Sequence, residues 1–198
     1  YDWNGVPLII SRTGWSSELG YEIFLCNGKH GNSLWEYLME VGAPMGLKPG
    51  HTSSIRRIEA AMLSYHADMT LENNPFELGL DRLVDLDMEA DFVSKEALKR
   101  IREEGVKQRQ VGLVFEGEPI SGSNDEFWPL VIDDRKVGYV TSAVYSPRLD
   151  QNIALAMIDR QYADIGTNGV IETTVMERKF EIVPKPFYDP KKEIAAKT

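Results

Sequence analysis

Disulfides are excluded by count: the 198 residues contain one cysteine, Cys26. A reducing, cytoplasmic compartment is the expectation that follows. Cys26 closes the apolar run Ile23-Phe24-Leu25-Cys26, where a small buried hydrophobe is the expected role. No apolar run approaches the roughly 18 residues that a membrane-spanning helix needs. No basic cluster offsets the net charge of −9, so nonspecific nucleic-acid binding is not expected. The mixed run Lys99-Arg100-Ile101-Arg102-Glu103-Glu104 reads as a solvated helix face.

Several site patterns are also missing. There is no Walker A loop, and Gly14 to Gly20 has the wrong spacing for a dinucleotide fingerprint. His30, His51 and His66 lack metal-ligand spacing, so no metal is expected and each reads as a surface or hydrogen-bonding residue. No Gly-x-Ser-x-Gly elbow occurs, and Ser121-Gly122-Ser123 reads as a flexible loop. Residue 1 is Tyr, nothing near it resembles a signal peptide, and a strand follows at once; a fragment with its N-terminal part missing is the expectation.

What is present is an ordinary globular composition, 42% hydrophobic and 27% charged. Val6 to Arg12 and Tyr21 to Cys26 read as an antiparallel strand pair. Leu34, Tyr37, Leu38 and Val41 fall at helical spacing within a helix from Ser33 to Val41. Trp35 falls on the polar side of that pattern. Thr52 or Ser53 can cap a second helix whose buried stripe is Ile55, Ile58 and Met62. Asn73-Asn74-Pro75 marks a loop and a helix start. Ser94 is placed to cap a helix from Lys95 to Glu104 that stops at Gly105.

After Gly105 the character changes to short β-rich runs. They are 111–115, 129–132, 137–140, 153–157, 170–176 and 180–183, with Asp133-Asp134 and Glu177-Arg178 as hairpin turns. The reading is an α+β chain in two domains. Residues 1–107 form an α+β domain, and residues 108–198 form a small antiparallel, jelly-roll-like β-barrel with a frayed tail from Lys191.

The segment Arg12 to Phe24 carries the chemistry. A glycine-punctuated loop brings Trp15, Tyr21 and Glu22 to nearly one place. A flat aromatic beside a carboxylate suits a planar heterocycle rich in N–H donors, such as a pterin. The same aromatics can hold a methylated cation. Glu22 shares a strand face with Phe24, so its burial calls for a partner, either Arg56 or Arg57 or a ligand with paired donors. Arg56 and Arg57 lie about 100° apart on a helix, so one of them can reach inward.

These residues resemble the glycine-cleavage T-protein (aminomethyltransferase) family. Arg12 to Phe24 resembles its Arg-x-Gly-Tyr-x-Gly-Glu-x-Gly-(Phe/Tyr)-Glu stretch, and Arg57-Ile58-Glu59-Ala60 its Arg-Leu-Glu-Ala helix. Asn74 to Leu80, Phe92 to Leu98, Gly138 to Ser142 with Tyr145 to Leu149, and Pro186-Phe187-Tyr188 resemble further family motifs in the same order. The resemblance implies a ferredoxin-like α+β subdomain followed by a barrel, with a first subdomain and its catalytic aspartate missing.

It also implies tetrahydrofolate as cofactor. By that resemblance Glu22 would grip the pterin edge and Trp15 would stand in for a tyrosine near the folate; on residue type, Tyr21 is a further candidate cofactor contact and Arg57 a candidate cation to hold the substrate carboxylate. Catalytic residues are expected in the missing part, so this chain alone is expected to bind folate weakly and not turn over. The partner is a small-molecule methyl donor, and a homodimer is an allowed assembly. Ser17 and Leu19 depart from the family loop, Ser53 replaces a folate-contacting arginine, and Arg82 replaces a tryptophan. These departures resemble the family's folate-dependent demethylases acting on dimethylsulfoniopropionate or a similar methylated molecule. The alternatives are an aminomethyltransferase working with a lipoyl carrier protein, and a non-catalytic folate-binding module.

Overall fold

The computed structural model describes residues 1–16, 18–50 and 53–196. It divides into two compact units, Tyr1–Ser53 with Lys192–Thr198, and Ser54–Lys191. The architecture is α+β, as the sequence implies, with a small sheet, helices and a closed barrel.

In the first unit, β1 (Asp2–Trp3), β2 (Val6–Ser11) and β3 (Glu22–Leu25) form an antiparallel meander. The β2–β3 register runs from Leu8 opposite Leu25 to Ser11 opposite Glu22. Helix α1 spans Gly31–Gly42 and buries Leu34. Two other members of its predicted stripe, Tyr37 and Val41, are 46% and 43% exposed, and Trp35 is 55% exposed. Cys26 is exposed, contrary to expectation, because it lies beyond the end of a strand whose own residues are exposed or half-buried.

In the second unit, α2 spans Ser54–Glu59 and α3 spans Lys95–Glu104. Of the two cap candidates for α2, Thr52 lies outside the described residues. The helix stops earlier than Met62 because Ala61 turns left-handed, φ 53°. Its N–H bonds Ile58 O, and Met62 N–H bonds Arg57 O, the paired bonds of a Schellman terminus. Ser94 occupies the cap position of α3 in a left-handed conformation, φ 73°, and makes no side-chain cap bond. Gly105 closes that helix at φ 82°.

Asn74 starts a single capped turn rather than a helix. Its side chain accepts from Phe76 N and Glu77 N, and Glu77 reaches back to Asn74 N at 3.3 Å, a reciprocal capping box. Gly79, at φ 69°, ends it.

Six antiparallel strands close the barrel in the order β4-β7-β6-β5-β8-β9. They are β4 (Gln108–Phe115), β5 (Trp128–Ile132), β6 (Arg135–Ser146), β7 (Gln151–Asp159), β8 (Asn168–Glu172) and β9 (Glu177–Val183). Asp133 and Asp134 both have positive φ, 48° and 60°, as a type I′ hairpin turn requires. Glu177 and Arg178 instead begin β9. The turn falls at Thr173–Met176, where the Thr173 hydroxyl accepts from Met176 N at 3.1 Å. Gly138 permits a close strand approach: a Cβ there would meet Met157 O at 2.2 Å.

Strand β7 is buried from Asn152 to Ile158. Ala154, Ala156 and Ile158 fill the barrel with Leu113, Leu130 and Val140. Ile153 and Leu155 face a second cluster with Val144 and Ile58 of α2. A strand covered on both faces reads as a continuous apolar run, which accounts for Ile153-Ala154-Leu155-Ala156-Met157. Among the described residues no helix is long and apolar enough to cross a membrane.

Candidate functional site

Each unit carries part of the predicted chemistry. In the first, Ser11 and Glu22 pair at the neck of the 12–21 loop. The Thr13 hydroxyl donates to Glu22 Oε2 in a short contact across that neck. Trp15 and Tyr21, on the same loop, are 48% and 64% exposed. Glu22 is exposed as well, and so is Phe24 on its strand face. The desolvation that would oblige Glu22 to find a cation is therefore absent. The two displayed rings offer stacking faces to a planar group, and the tethered carboxylate oxygens can accept paired N–H donors.

In the second unit, Arg57 lies in a buried polar network. Its Nη1 pairs with Asp68 Oδ2 at 2.7 Å, and its Nη2 donates to Ser142 Oγ at 2.8 Å. Asp68, 2% exposed, also accepts from Ser64 N, Thr141 Oγ1 and Ser142 Oγ at 2.9, 2.6 and 2.7 Å. Donors thus approach both of its oxygens, which makes burial of the charge tolerable. Sequence reasoning missed Asp68. The available signal was modest: it is the only carboxylate between Ala60 and Met69.

A second buried contact fastens the same helix. Ser146 Oγ donates to Glu59 Oε1 at 2.5 Å, and Arg148 pairs with Glu59 Oε2 at 3.6 Å. Phe187 N and Tyr188 N donate to the Glu59 carbonyl at 2.9 and 3.1 Å. Arg148 also lies over the Tyr188 ring at 4.0 Å. Motifs far apart in the sequence thus meet on α2: Arg57-Ile58-Glu59-Ala60, Thr141-Ser142, Ser146 and Phe187-Tyr188.

Lys185 was also missed. Burial lowers its pKa to about 8, against the opposing pull of the Asp68 carboxylate. Its Nζ makes a short bond to Gln110 Oε1, and Gln110 Nε2 is buried without a partner among the described residues. His30 and His66 are exposed, and His51 lies outside the described residues. Arg82 and Ser53 are both exposed.

Residues 1–88 match the family model described as the GCVT N-terminal domain, and residues 108–189 match the glycine cleavage T-protein C-terminal barrel domain. An aminomethyltransferase of Bacillus mycoides (strain KBAB4) is 38% identical over 188 residues, 93% of this chain and 50% of that protein. The dimethylsulfoniopropionate demethylase DmdA of Ruegeria pomeroyi is 37% identical over 171 residues, 86% of this chain and 46% of that protein. The chain spans about half the length of the curated relatives it matches. The crystal structure of glycine cleavage system aminomethyltransferase T from Bartonella henselae superposes with a TM-score of 0.77 over 91% of this chain and 50% of that one. At 20% identity that likeness is one of fold.

Proposed function

From the premise that the chain belongs to the glycine-cleavage T-protein family, we propose that it serves tetrahydrofolate-dependent one-carbon transfer, with a methylated small molecule such as dimethylsulfoniopropionate as donor. The observation that carries the proposal is the exposed Glu22 carboxylate, tethered by Thr13 on a loop that also displays Trp15 and Tyr21. Glu22 accepts pterin N–H donors, and the two aromatics bound the ring. When bound, tetrahydrofolate supplies the N5 amine that takes up the methyl group; a thioether and a proton are the other products. A neutral thioether leaves without an acid, so the protein's part is positioning. Trp15 and Tyr21 can also steady a sulfonium by cation–π attraction, worth about 1–2 kcal/mol when desolvated.

Arg57 enters the proposal through its clamp. With its guanidinium bound to Asp68 and Ser142, it holds α2 against β6. Ser53 and Arg82, where aminomethyltransferases resemble one another in having Arg and Trp, favour demethylation. The 38% identity to an aminomethyltransferase favours the second reading, transfer of an aminomethyl group from a lipoyl carrier.

The test uses the protein at its encoded length. Methyl-folate formed from dimethylsulfoniopropionate is the expected outcome. Turnover only with a dihydrolipoyl carrier and an aminomethyl donor would select the second reading, and folate binding without either would mark a non-catalytic module. Glu22→Gln is expected to weaken tetrahydrofolate binding by about tenfold or more, the worth of a charged hydrogen bond. Unchanged affinity by calorimetry removes Glu22 from the site.

A further inference from the structure

The second unit carries a cleft that this proposal does not use. It has a volume of about 530 Å³ and is lined by Tyr65, His66, Phe127, Asp125, Glu126 and Thr141, among others. Two of its features are aromatic display and unpaired negative charge. Tyr65 and Phe127 are 49% and 53% exposed. The Tyr65 and His66 rings sit 4.2 Å apart, and Phe127 leans on Tyr139 at 5.1 Å. Asp125 and Glu126 are exposed, and among the described residues neither has an ion-pair partner.

Both walls are fixed to β6. Asn124 donates to Thr141 O at 3.3 Å and to Glu126 O at 2.9 Å, and accepts from Ala143 N at 2.7 Å. The opposite wall is anchored through Asp68, which accepts from Thr141 and Ser142. His66 holds a left-handed backbone, φ 71°, closed by its N–H to Met69 O at 2.8 Å. Such a conformation is uncommon in a residue other than glycine and here is held by that hydrogen bond. Burial foremost, and then the Glu77 and Glu72 carboxylates, push the Tyr139 phenol above its ordinary value.

We propose that this cleft binds a small organic onium cation, a quaternary ammonium or sulfonium lacking a carboxylate of its own. Aromatic faces attract an onium group through their quadrupoles, and such a group has no N–H donors that would require matching acceptors. Asp125 and Glu126 supply the long-range attraction and disfavour a zwitterion. The site stands apart from the methyl-transfer reading and does not depend on it.

The test is titration of the full 198-residue chain with choline at pH 8, by calorimetry and amide NMR, beside its neutral carbon isostere 3,3-dimethylbutan-1-ol. Choline is expected to bind saturably and to shift the amides of residues 125–127. The isostere is expected to bind at least roughly fivefold more weakly, as is Phe127→Leu toward choline, the ratio that about 1 kcal/mol of cation–π attraction supplies. Asp125→Asn combined with Glu126→Gln should weaken choline binding and flatten its salt dependence. Tyr65→Leu should weaken choline binding in the same way as Phe127→Leu; if it disturbs folding, Phe127→Leu and the double change decide the matter. Equal affinity for the isostere, choline affinity indifferent to Phe127→Leu and to the double change, or no saturation overturns the proposal. So does tighter binding of argininamide or of dimethylsulfoniopropionate than of choline.

Discussion

The β2–β3 pair and the barrel are both antiparallel and both rich in Ile, Leu and Val, yet they use those residues differently. In the barrel, Leu113, Leu130, Val140, Ala154 and Ile171 are fully buried. In the strand pair, Ile9 is 60% exposed and Phe24 52% exposed. The difference lies in closure rather than in propensity. Six strands that return on themselves create an inside, and α2 covers part of the outside. Two strands and a two-residue flank have one covered face at most. The barrel therefore takes its stability from packing, while the strand pair buries only Val6 and Leu8 of β2 and leaves Ile9, Ile10, Ile23 and Phe24 exposed.

The largest expected effect would come from breaking the buried charge network of the barrel unit. Asp68→Ala leaves the Arg57 guanidinium buried without its carboxylate and is expected to cost about 3–5 kcal/mol in denaturant unfolding. A loss below about 1 kcal/mol would mean that water already reaches the pair.

A smaller but sharper contrast comes from matched truncations. Leu130→Ala, at 0% exposure, should cost about 2–5 kcal/mol. Ile9→Ala, at 60% exposure, should stay within about 0.5 kcal/mol. Equal losses would show that the strand pair is covered in solution.

The smallest effect is a pH dependence confined to the barrel unit. Lys185 has its pKa lowered to about 8 in the folded state, so between pH 8 and about 10 the unfolded chain binds more protons. Stability from this group therefore rises with pH through that window. Above it, the raised Tyr139 phenol acts in the opposite direction. Lys185→Met should abolish the rise and increase Tm at pH 7; an unchanged pH profile would place the amine in water.

Local order was legible in the sequence. The strand pair, the six barrel strands, the Asp133-Asp134 turn and the helix over 95–104 all follow from periodicity and turn chemistry. The departures are places where a distant constraint overrode a local one. Thr173 rather than Glu177 makes the β8–β9 turn, because the barrel register sets Glu177 opposite Glu172. The helix at Ser54 ends at Glu59, whose carbonyl and carboxylate are both engaged, by Phe187, Tyr188 and Ser146.

The candidate site divides along the same line. Trp15, Tyr21 and Glu22 were readable because they lie on one loop, within eight positions of one another. Spacing alone carries that information. The partners of Arg57 were not readable, since Ser142 lies 85 positions away and Asp68 eleven. Lys185 and Gln110, 75 positions apart, are the same case. The sequence by itself determined which segments could be strands, turns and helices, and which loop displays aromatics beside a carboxylate. Only the tertiary structure decided which charges are buried together, because barrel closure fixes those distances and removes the water that would otherwise screen them.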